Sequence, residues 1–149
     1  MKYLRLSLIV LFISINLHAQ KVKISKEVVS IDKVEMYLMV KTSYDRFSFS
    51  IKNLEGEEIF FVKAESYKDS KEVSQHNKDG SVSYFSILDV KTNKVIFEHE
   101  LSIGSKKRLF KLIYNEELIK NGKLNEDVAE RLSIRIGKPF SRKREELCD

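Results

Sequence analysis

Residues 94–113 read Lys94-Val95-Ile96-Phe97-Glu98-His99-Glu100-Leu101-Ser102-Ile103-Gly104-Ser105-Lys106-Lys107-Arg108-Leu109-Phe110-Lys111-Leu112-Ile113, and the apolar period changes inside them. Up to Leu101, the residues Val95, Phe97, His99 and Leu101 recur every second position, as one face of a strand requires. Beyond Gly104, Leu109, Leu112 and Ile113 recur at three and four, as one face of a helix requires, with Ser105 placed as its N-cap. Strands before the change and helices after it predict an α+β domain whose helices cover one face of a sheet.

Upstream of this change the chain reads as six or seven short strands separated by turn residues. Val22-Lys23-Ile24 and Val28-Val29-Ser30-Ile31 come first, and Asp32-Lys33 is a two-residue hairpin turn leading into Val34–Val40. In Phe47-Ser48-Phe49-Ser50-Ile51 the alternation turns Phe47, Phe49 and Ile51 to the core and Ser48, Ser50 and Lys52 to water. After a turn at Gly56, Ile59–Ala64 is apolar on both faces, as befits a central strand. The polar stretch Lys68–Gly80 reads as a mobile surface loop, and Ser81–Leu88 pairs with Lys94–Leu101 as a hairpin. Local antiparallel pairing throughout gives a meander-like sheet, with the option of curling.

Downstream, Asn121-Gly122 ends this helical unit. Asn125 opens a second as N-cap, with Val128, Leu132, Arg135 and Ile136 on one face, and Gly137 and Pro139 stop it. The domain is placed at residues 20–140, and residues 141–149 form a charged tail expected to fray.

The chain has 149 residues, 42% apolar and 33% charged, which is enough for one packed domain. At the N-terminus, Lys2 and Arg5 flank an apolar run from Leu6 to Leu17 that ends at His18-Ala19-Gln20. The run falls short of the roughly 20 residues needed to cross a bilayer, so residues 1–19 read as a secretory signal peptide cleaved after Ala19. Export to the periplasm or beyond follows, and with no Cys at the junction the product is not a lipoprotein. Losing Lys2 and Arg5 lowers the formal charge from +5 to +3, and no aromatic-interleaved basic stripe remains that would grip nucleic acid. Cys148 is the single cysteine, so no intramolecular disulfide forms.

The chemistry-bearing residues are sparse. His76 sits in a polar loop, His99 is flanked by carboxylates that point to the opposite strand face, and neither has metal-ligand spacing. The pairs Glu57-Glu58, Glu116-Glu117 and Glu145-Glu146 diverge as neighbours do, no Gly-x-Ser-x-Gly elbow occurs, and no cofactor motif is present. No catalytic set emerges, and the sequence predicts a non-catalytic module that binds a protein or envelope component. Two groups of residues are candidates for contact. Lys106, Lys107, Arg108 and Lys111 open the first helix against its dipole and would meet an anionic partner. Tyr37, Phe60, Phe61, Tyr84, Phe85 and Phe97 would line an apolar cavity if the sheet curled, which makes a small-ligand carrier the alternative reading.

The order Val22-Lys23-Ile24, Val28–Val34, Gly56-Glu57, Tyr84–Asp89, Leu109–Tyr114 and Asn121–Asn125 resembles small exported proteins of Bacteroidota, in which an Ala-Gln signal junction also recurs. Those relatives more often show Asp-Gly where this chain has Asp32-Lys33. The resemblance implies export and this fold class, and it carries no activity to transfer.

Overall fold

A computed structural model describes residues 20–43, 45–102 and 104–148. The signal peptide expected at residues 1–19 and the side chain of Cys148 lie outside the described residues. Seven strands form one antiparallel sheet in the order of the sequence: β1 (Val22–Ser25), β2 (Val28–Ile31), β3 (Val34–Lys41), β4 (Phe49–Lys52), β5 (Glu58–Lys68), β6 (Ser81–Asp89) and β7 (Val95–Glu100). Three helices follow, α1 (Ser105–Asn115), α2 (Glu126–Ile136) and α3 (Phe140–Cys148), with a two-stranded hairpin, β8 (Ile119–Lys120) and β9 (Lys123–Leu124), between the first two. The α+β class with a meander sheet and a C-terminal helical pair is therefore the observed architecture.

Short turns set this topology. Asp32 and Lys33 both have positive φ, 51° and 72°, as a type I′ hairpin turn demands, although neither is glycine. Asn121 and Gly122 repeat the geometry at 52° and 71° between β8 and β9. The stretch between β5 and β6 is a knitted loop with a short 3-10 turn at Ser70–Glu72. Asn77 holds it together: its side-chain amide donates to the Glu72 and Ser81 carbonyls at 3.2 and 3.0 Å and accepts from the Ser81 N–H at 3.0 Å. Gly80 is required there, because a Cβ would stand 2.3 Å from the Asp69 carbonyl oxygen at a φ of +65°.

The pairing register sorts the strands into two faces. Phe49, Val62 and Ile87 stand opposite one another across β4, β5 and β6, as do Ala64, Phe85 and His99 across β5, β6 and β7. This is the face that α1 and α2 cover. Phe110 of α1 packs its ring on Tyr37 and Phe49 at 6.3 and 6.2 Å between centroids, and Phe49 meets Phe85 edge-on at 5.8 Å. Leu109, Ile113, Leu118, Val128, Ala129 and Leu132 complete the core, and each large side chain so buried contributes about 1.5–3 kcal/mol of transfer free energy. Phe110 and Ala129 extend the helical faces read from the sequence, whereas Arg135 turns outward to pair with Glu116.

Three local expectations are revised. Phe47 is 52% exposed and Ser48 is buried, because the Asp45 carboxylate accepts the Phe47 and Ser48 N–H groups at 2.8 and 3.1 Å and winds the chain before β4 begins. Ser48 Oγ in turn accepts the Ala64 N–H at 2.8 Å, a role the hydrophobic alternation gave no sign of. Gly104, at a φ of 78°, takes the N-cap position of α1 without a side-chain bond, and Ser105 is the first helical residue, its hydroxyl bonded back to Ser102. The third concerns the C-terminus. Residues read as a frayed tail form α3, which crosses to the sheet face left open by α1 and α2.

Candidate functional site

The open face carries charge where the covered face carries hydrocarbon. Lys63, Ser86 and Glu98 stand in one cross-strand row, and Glu65, Tyr84 and Glu100 in the next. α3 docks over these rows. Phe140, its first residue, stacks on Tyr84 at 5.1 Å with 17° between the rings, and Tyr84 is fully buried although it lies outside the main core. Arg144 donates to Glu65 at 2.6 Å, and the Ser141 N–H donates to Glu98 at 3.0 Å. The Ser86 hydroxyl lies 3.0 Å from a Glu65 oxygen and 3.3 Å from a Glu98 oxygen, so one hydroxyl stands between two carboxylates.

Electrostatics follow from this packing. Burial pulls the Glu65 carboxyl upward, but the hydrogen bonds from Arg144, Lys63 and Ser86 outweigh it and hold the group below its ordinary value. Burial, helped by the charge of Glu65, pushes the Tyr84 phenol up to about 12, so it stays neutral. Its hydroxyl is buried and meets no hydrogen-bond partner among the described residues.

Beside the cluster lies a cleft of about 350 Å³ between α3 and the loop joining β5 to β6. Tyr67, Val82 and Ser83 come from the strands, Glu72 and Asn77 from the loop, Glu100 and Leu101 from the end of β7, and Lys138, Phe140 and Lys143 from α3 and its approach. Tyr67 is held by an edge contact with Tyr84, 6.1 Å between centroids, and Lys138 Nζ stands 5.7 Å from the Phe140 ring centroid. Lys138 pairs with Glu100 at 3.3 Å, both largely exposed, while Lys143 and Glu72 make no ion pair among the described residues. The arrangement offers an aromatic surface with donors and acceptors of both charges around it.

The residues singled out from sequence are distributed differently. Lys106 is half-buried with Nζ 4.7 Å above the Phe49 ring, and burial together with the charge of Lys41 holds its pKa below the usual lysine value. Lys107 is exposed, Arg108 is exposed and donates to the Ser102 hydroxyl, and Lys111 is half-buried. Tyr37, Phe60, Phe85 and Phe97 are packed into the core on the covered face, while alternation sends Phe61 and Tyr84 to the open one. The six rings therefore do not surround one space. His99 faces the covered side with its Nδ1 2.9 Å from the Glu100 carbonyl oxygen, and His76 is exposed in the loop. The apolar pattern of the sequence gives no sign that Glu65, Glu98, Phe140 and Arg144 come together. The parity of Lys63, Glu65 and Tyr67 on β5 is the visible signal for Glu65.

Among the described residues no group of three His, Cys, Asp or Glu side chains converges as a metal-ligand set. Nor is any helix among them long and apolar enough to cross a membrane. Fold and site together define a meander sheet with two helices on one face and a third closing a polar, aromatic cleft on the other. Comparison with protein-family models, curated proteins and solved structures finds no match to this chain.

Proposed function

We propose that the protein is an exported, non-catalytic binding module of the cell envelope and that its ligand contacts the cleft beside α3. The observation that carries this reading is the juxtaposition made by α3. It stacks Phe140 on Tyr84, and leaves an accessible cleft lined by Tyr67, Phe140 and Lys143 next to a buried, neutral phenol. Convergent polar groups around an aromatic surface are what a small recognition site needs. The basic and apolar N-terminus with Ala19 supports export.

Retention on envelope preparations from the producing cells tests the reading. The wild type is expected to sediment with the envelope, and the double substitution Tyr67→Ala with Lys143→Gln is expected to lower retention at least several-fold while leaving the circular-dichroism spectrum unchanged. Equal retention of a folded double variant would remove the cleft from the account.

A further inference from the structure

We propose that the cleft beside α3 binds a neutral oligosaccharide, with one sugar ring laid on Tyr67. The proposal rests on the binding reading above and names the ligand class of the same site. Tyr67 is half-buried, and its edge contact with Tyr84 at 6.1 Å keeps the ring from turning freely. A flat aromatic surface matches the C–H face of a pyranose, and the hydroxyls at the ring's edge need both donors and acceptors nearby. The cleft supplies them: Glu72 and Glu100 accept, and Lys138 and Lys143 donate.

The charge balance narrows the choice. Glu72 and Glu100 line the cleft together with Lys138 and Lys143, so its lining carries no net formal charge with which to select an anion or a cation. An anionic ligand would meet Glu72 and Glu100, and a cationic one would meet Lys138 and Lys143. An apolar ligand would strip water from all four without replacing its hydrogen bonds, which is costly. A neutral polyhydroxylated ligand bonds to every one of them. The Lys138–Glu100 pair is about 60% and 58% exposed, so it is weak in water and its groups are available to hydroxyls.

The test is a titration of the protein, expressed from its full-length sequence, followed by ¹H–¹⁵N amide shifts. The probes are maltotriose and chitotriose, with tri-alanine as a zwitterionic control. At sugar concentrations up to about 10 mM, ample for a millimolar site, the amides of Tyr67, Val82, Ser83 and Lys143 are expected to move with at least one sugar. Tyr67→Ala should weaken that binding about tenfold, and Tyr67→Phe, which keeps the ring, should largely retain it. Shifts confined to other regions, or none with either sugar, would overturn the oligosaccharide assignment. If tri-alanine alone moved the cleft amides, the sugar class would fall and the cleft would stand as a binding site. Silence with all three probes, together with envelope retention insensitive to Tyr67 and Lys143, would remove both.

Discussion

Glu65 shows how a side chain near a buried phenol stays ionised. It is 13% exposed and gathers Arg144, Lys63 and Ser86, whose bonds more than offset its desolvation. Because its folded pKa lies below the ordinary 4.5, the stability it contributes is complete above that value and is lost as pH falls through the folded pKa. Arg144→Gln should therefore cost about 1–3 kcal/mol at pH 7. The gap between variant and wild type should close as the pH drops below 4.5. Urea unfolding at a series of pH values measures it, and a gap that stays constant into acid would show that Arg144 acts on stability by some route other than Glu65. None of this was legible in the sequence, since Arg144 and Glu65 are 79 positions apart and a charged residue in a polar tail looks like any other. The misplacement of Phe47 has a similar origin. Alternation fixes which residues share a face but not where the strand starts, and the Asp45 carboxylate sets that start.

Turns and helices were legible to the extent that backbone chemistry is local. The two-residue spacing of Asp32-Lys33 predicts a hairpin turn, and the structure gives both residues positive φ. Lysine at a φ of 72° is strained where glycine is not. Lys33→Gly is expected to stabilise the protein by about 1 kcal/mol and raise its melting midpoint by about 2–4 °C, against which a lowered midpoint would count. The periodicity of α1 and α2 was also visible, because each buries a stripe of its own. α3 has no such stripe. Between Phe140 and Leu147 its residues are polar, and among the described residues it is held by the Phe140 stack on Tyr84, the Arg144–Glu65 ion pair and the Ser141 N–H bond to the Glu98 carboxylate, each to a distant strand. A helix fixed by tertiary contacts alone leaves no period to find.

Across the molecule, the sheet uses its two faces differently. The covered face holds the hydrophobic core, in which Tyr37, Phe60, Phe85 and Phe97 are packed. On the other face Val28, Leu38, Val40, Phe61 and Leu88 are half-buried, and α3 closes the end near β7. The fold class was readable because it follows from a single change of apolar period. The site was not, because it is assembled from the one helix that the pattern does not reveal. The account stands on α3 being docked, since without it neither the buried Tyr84 nor the cleft exists. Amide hydrogen exchange over residues 140–148 measures this directly. The predicted result is slow exchange for the amides of Ser141 and of the last turns of α3, abolished by Phe140→Ala. Exchange at the rate of an unstructured chain throughout this segment in the wild type would contradict it.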